Sequence, residues 1–380
     1  MPLYLTFALA LSIITTVQAG RVLLTLYALK LGAQPFAVGI LAATFSVLPM
    51  LLSWQIGRFS DRFGSRWLLL FGTVGGAFGI LLPYMMSGLP ALFIAGIMNG
   101  LLFAFSGATL QNLVGLLSRP ETSARNFSNY SVLISVTGFI GPLLAGFSID
   151  HSGHVVTCLY LVAMSFIPVA LLAIRGGVLP GGSRSVPPEG SVWEMLAGSG
   201  LWRVMATGSL VVSGIDLFQV YMPIYAHSAG LSASAIGIVL AMFSVAAFAV
   251  RLFLPHLIFR LTETRVLQFS FFTGAASFLL VPFFQSAAML ALIAFAFGLG
   301  MGCGQPITLM MTYGSSPQGR SGEAMGLRVT VNHLTRVIVP VLFGSVGSLF
   351  GLLPVFWINS LLLASGGAIT RPGKTGRVSH

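Results

Sequence analysis

The sequence predicts an all-α membrane protein of twelve transmembrane helices, built as two related sets of six. Three observations predict it: a composition that water could not solvate, apolar runs of membrane-spanning length, and one fixed offset at which the chain matches itself. Of its 380 residues 56% are hydrophobic and 7% charged, and the mean hydropathy is +0.94. A soluble chain carries about 25% charged residues, so lipid is the solvent here. Gly is abundant, with 45 residues, as suits helices whose backbones approach closely in a membrane.

A helix needs about 20 apolar residues to cross the hydrocarbon core. Runs of that length, broken by Gly, Pro and charge, set spans 1 to 12 at 4–29, 36–56, 66–87, 90–116, 127–149, 155–174, 203–226, 234–254, 266–285, 288–312, 325–350 and 354–370. Span 1 starts near the N-terminus. Met1 to Leu11 holds no Lys or Arg, so the segment reads as a span and not as a signal peptide. Spans 2 and 3 flank the charged stretch "GRFSDRFGSR". Spans 1, 4 and 11 are long enough to need tilt. Span 5 contains "TGFIGPLLAG". After span 6 comes "RGGVLPGGSRSVPPEGSVWEMLAGSGLW", whose first part is a Gly/Pro/Ser linker and whose second part suits the membrane surface. The organisation is therefore an N-terminal bundle over 1–174, a linker over 175–202, a C-terminal bundle over 203–370 and a tail over 371–380.

The basic residues orient this layout. If the chain starts inside, the inner loops and tail hold fourteen of them: Arg58, Arg62, Arg66, Arg119, Arg125, Arg175, Arg184, Arg203, Arg260, Arg265, Arg320, Arg371, Lys374 and Arg377. The outer loops hold Lys30 alone. Basic residues stay on the cytoplasmic side, so both termini are expected there, in the inner membrane of a bacterial-type cell. The five tryptophans fall at or near span ends, as an aromatic belt requires. This placement also accounts for the net charge of +11, which in a soluble protein would suggest nucleic acid. Cys158 and Cys303 sit in apolar stretches and offer neither a disulfide framework nor a metal spacing.

At an offset of 198 residues, "VGILAATFSV" (38–47) falls on "IGIVLAMFSV" (236–245). The same offset pairs Arg62 with Arg260, Gly76 with Gly274, Gly100 with Gly298, Pro142 with Pro340 and Gly146 with Gly344. Chance apolar similarity does not hold one register through prolines, so the halves are duplicates. Duplicated halves around a central site are the plan of many secondary transporters.

The segment between spans 2 and 3 resembles the signature loop of the major facilitator superfamily, G-x-x-x-D-R-x-G-R-[RK]. Gly57, Asp61, Arg62, Gly64 and Arg66 match, Arg58 adds a charge, and Ser65 departs from the usual Arg. The resemblance implies the superfamily's fold of two pseudo-symmetric six-helix bundles. It implies that Asp61 sits against the N-terminus of span 11, where the helix dipole favours negative charge, and latches the cytoplasmic side shut. A local ion pair with Arg58 or Arg62 is the competing reading, worth little at a surface. The second-half counterpart keeps Arg260 but has Phe259 in place of Asp61, so the latch is one-sided. Gly141, Pro142 and Gly146 in span 5 resemble the GPxxGG motif of proton-exchanging exporters; a kinked, Gly-packed helix is the plainer alternative. Such exporters also carry an Arg in span 4, four residues before a Gly. Here that position is Gly96, ahead of Gly100.

Ionisable residues at membrane depth are functional candidates by default. Asp216 in span 7 is the one acid deep within a span, and its repeat counterpart is Gln18 in span 1. Spans 1 and 7 line the central cavity in the resembled family. Asp216 is the candidate proton carrier, with a structural pair to an Arg as the alternative. Arg336 lies near the middle of span 11 and needs Asp216, another acceptor or a wet cavity. Arg328, Asn332 and Arg336 share one helix face, with His333 beside it as a group that could titrate near neutrality. Arg328 and Arg251 are expected to snorkel inward, and Arg21 either to snorkel outward or to serve the cavity. Gln111, Asn112 and Gln305 in spans 4 and 10 face either the cavity or a neighbouring helix, and Asn99 is placed likewise.

With no Walker motif, metal cluster or catalytic triad, neither an enzyme nor a cofactor is expected. The expected function is a secondary active transporter, a monomer in the bilayer that moves a small organic solute, with proton-coupled efflux preferred. Asp216 would exchange the proton, Arg336 and Arg21 would tune it, and Asp61 would gate. Uptake or exchange of a small organic anion, a carboxylate or phosphate ester, is the alternative. A non-transporting sensor on the same fold is disfavoured by the intact loop and the buried charges.

Overall fold

The computed structural model describes residues 2–179, 200–316 and 321–370, and within its helices it leaves out some side chains, those of 53–63 among them. The linker expected over 175–202 lies mostly outside these residues, and the tail over 371–380 wholly so. Among the described residues the regular structure is all helix. Eleven stretches are long and apolar enough to span a membrane. One of them, Asn129–Val178, is 50 residues long and breaks at Gly153 into spans 5 and 6. Twelve spans result, in two bundles of six.

The turns are tighter than the sequence suggested. Spans 2 and 3 form one run, Pro35–Met85, interrupted at Gly64 with φ 76°. Spans 5 and 6 form another, Pro120–Arg175, interrupted at Gly153 with φ 79°. A single residue with positive φ turns the chain at each place, and glycine adopts that conformation without steric cost. The equivalent second-half positions repeat the device: Gly351 has φ 82° and Thr262 has φ 69°. Thr262 is the one described non-glycine residue with positive φ. Span 7 is Leu201–Ser228, span 8 is Ala233–Leu261, span 11 is Ser321–Phe350 and span 12 is Leu352–Ile369. Span 9, Glu263–Leu280, ends in a 3-10 turn at Val281–Phe283. Span 10 is itself broken, into Ala287–Met301 and Gly304–Ser315.

The bundles meet along two symmetric seams, span 2 against span 11 and span 5 against span 8. In each seam a helix without a side chain crosses a kinked one. A Cβ at Gly237 would come within 2.5 Å of the Pro142 carbonyl oxygen. Gly39 presses on the Pro340 carbonyl in the same way. Pro in a helix interior kinks the helix, and the facing glycine, having no Cβ, lets the second backbone pass close to that kink.

Both seams are pinned at the same end of the molecule, the end carrying the 5–6 and 11–12 turns. Asp150 Oδ1 accepts from the Ala233 N–H at 3.0 Å, and Oδ2 from the Ser234 N–H at 2.7 Å. Ser232 caps Ala235 with its own hydroxyl. The first-turn donors of span 8, which have no helical acceptor, are thus taken up. In the other seam Ser348 Oγ accepts from the Phe36 N–H at 2.9 Å.

Candidate functional site

Between the bundles lies a cavity of about 70 Å³. Its walls come from spans 1, 2, 5, 7, 8 and 11, with Gln18, Arg21, Phe45, Ser46, Gly138, Pro142, Asp216, Gln219, Phe243, Ser244, Arg336 and Pro340 among them. Span 7 carries the acid. Two residues beyond Asp216, Phe218 stacks on Phe297 at 4.7 Å and tilts against Phe243 at 5.5 Å. This aromatic block anchors span 7 in the C-terminal core and fixes where Asp216 stands.

Arg336 Nε donates to Asp216 Oδ2 at 3.0 Å, with 23% and 11% of the two side chains exposed. The ions are therefore taken largely out of water, with one edge left towards the cavity. Burying two charges costs several kcal/mol per ion, at order of magnitude, unless they pair well. Span 1 adds Arg21, whose guanidinium lies over the rings of Phe45 and Phe103 at 5.6 and 5.3 Å. Its Nε is buried without an acceptor.

The remaining candidates fall elsewhere. Gln305, Asn332, His333 and Gln111 are not among the residues lining the cavity. Gln305 accepts from Arg328 Nη2, at 2.9 Å through Oε1, and Thr308 Oγ1 accepts from the same atom at 3.2 Å. Arg328 is therefore buried and held by span 10 rather than snorkelling. His333 is buried against Phe103, ring centroids 6.2 Å apart, with Nδ1 lacking a partner. Gln111 and Asn112 are exposed. Asn99 donates to the Val17 carbonyl at 3.3 Å, a bond between helices. Arg251, also expected to snorkel, donates through Nε to the Gly302 carbonyl and through Nη1 to Ser135 Oγ, both at 3.0 Å. The break in span 10 frees that carbonyl, and the Arg satisfies it while tying span 8 to span 5.

Of the signature loop, Gly57, Arg58, Asp61 and Arg62 have side chains outside those described. Gly64 makes the turn. Arg66 stays within its own half, donating to the Ala173 carbonyl at 3.2 Å near the end of span 6, where basic groups suit free helix carbonyls. In span 5, a Cβ at Gly141 would meet Gln18 Cβ at 2.6 Å, and one at Gly146 would strike the Ala233 carbonyl. These residues make close crossings onto spans 1 and 8. Gly96 is equally confined, against Thr44 and Leu41 of span 2. An Arg has no room there.

The sequence reading missed Asp150, and with it the cavity residues Phe45, Ser46, Gln219, Phe243 and Ser244. An acid in a short turn reads as solvated, and its partner is 83 residues away. The offset of 198 pairs Asp150 with Ser348, but the shared role shows only in the structure, where each accepts a helix N–H. Among the described residues no group of three or more His, Cys, Asp and Glu side chains forms a metal site.

The model of the Major Facilitator Superfamily matches residues 4–340, and again 230–375. The class D tetracycline resistance protein of Salmonella ordonez is 24% identical over 323 residues, 82% of this chain and 79% of that one. The class H tetracycline resistance protein of Pasteurella multocida is 29% identical over 116 residues, only 30% of this chain and 29% of that one. A solved structure of the peptide transporter POT has the same fold, with a TM-score of 0.80 over 97% of this chain and 93% of that one, at 15% identity.

Proposed function

We propose a proton-coupled transporter of a small organic solute, starting from the fact that the chain belongs to the major facilitator superfamily. The observation that carries the proposal is the Asp216–Arg336 pair, set in the cavity between the bundles. Asp216 carries the proton. Ionised, it holds Arg336 and so ties span 7 to span 11. Protonated, it loses most of that attraction, and the two helices are released to move. A proton and a solute that meet in this cavity are coupled through one bond. The relay runs through Asp216 and not through span 4, where Gly96 leaves no space for a basic residue.

The cavity serves the two sides in turn as the bundles rock about their seams. The end held by Asp150 and Ser348 faces outward, following the placement of the basic loops at the other end. Asp61 takes over as the latch on the cytoplasmic side when the outer end opens. The protein sits in the cell membrane with both termini inside.

The direction has two readings. Efflux in exchange for protons is supported by the tetracycline resistance relatives and by the span 5 motif. Movement of an organic anion together with the proton is favoured by the charge of the cavity, one carboxylate against two guanidiniums. The test is a solute screen in proteoliposomes with an imposed pH gradient and a pH-sensitive dye inside, comparing wild type with Asp216→Asn. Solute-dependent proton movement in wild type and none in the variant is the expected result, and the sign of the movement separates exchange from cotransport. Coupled proton movement that survives Asp216→Asn would overturn the assignment of the carrier.

A further inference from the structure

We propose that Arg21 is the anchor for an anionic group on the transported solute, a carboxylate carried on a flat apolar body. The proposal rests on the second reading of direction and gives it a residue and a ligand chemistry.

The first ground is an unspent cation. Arg21 lines the cavity and makes no hydrogen bond or ion pair with any described residue, and its Nε is buried without an acceptor. Its ring contacts with Phe45 and Phe103 answer the charge but take up none of its N–H groups. A buried donor left unmade is costly, and the planar fork of a guanidinium matches a carboxylate with two parallel bonds.

The second ground is the charge count. Asp216 is the acid at this depth, and Arg336 already takes its Oδ2. Both lie within electrostatic reach of Arg21. Further along span 11, Arg328 is held by neutral groups of span 10, and His333 faces Phe103. The region thus carries one negative charge against three guanidiniums.

The third ground is the duplication. The position equivalent to Arg21 is Gln219, which lines the opposite wall of the same cavity. The frame accepts a neutral amide there, so the fold does not require a guanidinium at this position. Phe45 and Phe243 are likewise equivalent and face the same space. Aromatic walls on both sides suit a flat apolar body.

A direction of coupling follows. The groups facing Asp216 are Arg336 and Arg21, with Arg328 and His333 beyond them on span 11. Protonating Asp216 raises the net positive charge of the cavity and frees Arg336 to join Arg21 on the anion. Anion and proton then favour each other's binding, as linkage requires.

The test uses the purified full-length protein in nanodiscs, with benzoate, benzamide and benzylamine as probes and binding read by calorimetry. Benzoate is expected to bind and the other two not. Arg21→Gln is expected to weaken benzoate at least tenfold, and Arg21→Lys to fall between, with a melting curve confirming that each variant is folded. Lowering the pH is expected to tighten benzoate in wild type. Asp216→Asn is expected to bind it at least as tightly and to lose that pH dependence. Equal binding of benzamide, no binding of benzoate, or benzoate affinity unchanged within twofold in folded Arg21→Gln would overturn the proposal. If a variant does not fold, the benzoate–benzamide comparison in wild type still decides. Arg21-dependent binding without proton movement in proteoliposomes would leave this inference standing and sink proton coupling instead.

Discussion

Asp150 and Ser348 stand 198 residues apart at equivalent positions, and each accepts a backbone N–H from the first turn of a helix in the opposite half. The acid takes two such groups and the hydroxyl one. The two clasps are thus unequal, since a charge at a helix N-terminus also gains from the dipole. Removing such a cap costs about 1 kcal/mol, a several-fold shift between closed and open forms. Asp150→Ala should therefore open this end more often than Ser348→Ala does. The check is the rate at which a membrane-impermeant thiol reagent, added from that side of sealed vesicles, labels Ser46→Cys in the cavity. Cys158 and Cys303 are buried, so their background is low. Equal rates in wild type and Asp150→Ala would rule out a clasp.

The glycine crossings should matter more than the clasps. A Cβ at Gly237 cannot coexist with the Pro142 carbonyl at its present distance. Gly237→Ala is expected to hold the Asp150 end apart, with Gly39→Ala acting likewise on the other seam. Spin labels at Leu31 and Ser228, in opposite halves, should report a longer separation in either variant, and an unchanged distance distribution would count against the fulcrum.

The Asp216–Arg336 pair predicts a stability pattern separate from transport. Taking one partner away strands the other in a largely dry place, which costs about 3 kcal/mol for a fully buried pair and less here, where the cavity wets one edge. Asp216→Asn and Arg336→Gln should each lower the melting temperature. The double variant should recover much of the loss and still fail to couple protons. Additive losses would mean that the two side chains do not depend on each other.

Thr262 holds a conformation that its glycine equivalent, Gly64, adopts freely. A β-branched residue at φ 69° stores about 1 kcal/mol or more of strain. Thr262→Gly should raise the melting temperature, and Gly64→Thr should lower it. No change in either would indicate that the turn relaxes around the side chain.

Much of this was legible in the residues. Span number and the duplication followed from hydropathy and one offset. The meeting of Asp216 and Arg336 could be anticipated, because a lone acid at membrane depth has few possible partners. The fates of Arg328 and Arg251 were not legible. A long side chain near a span end reads as reaching for water, and only the fold brings the Gly302 carbonyl to Arg251 and the Gln305 and Thr308 side chains to Arg328. Asp150 hid for the opposite reason, because short turns look solvated until their three-dimensional neighbours are known. Helix faces were the weakest inference. Gln111, Gln305, Asn332 and His333 lie on spans 4, 10 and 11 but do not line the cavity.

The matched crossings also bear on how such a centre can arise. The patch Gly39 and Pro142 offer meets its own likeness in Gly237 and Pro340, the arrangement of an isologous dimer. Two identical half-length chains could pair through it. They could not build this centre, because a two-fold axis puts the same residue at both equivalent places. Here Gln18 faces the cavity where its double is Asp216, Arg21 where its double is Gln219, and Gly138 where its double is Arg336. Joining the halves in one polypeptide lets a symmetric scaffold hold a single acid and a single free guanidinium.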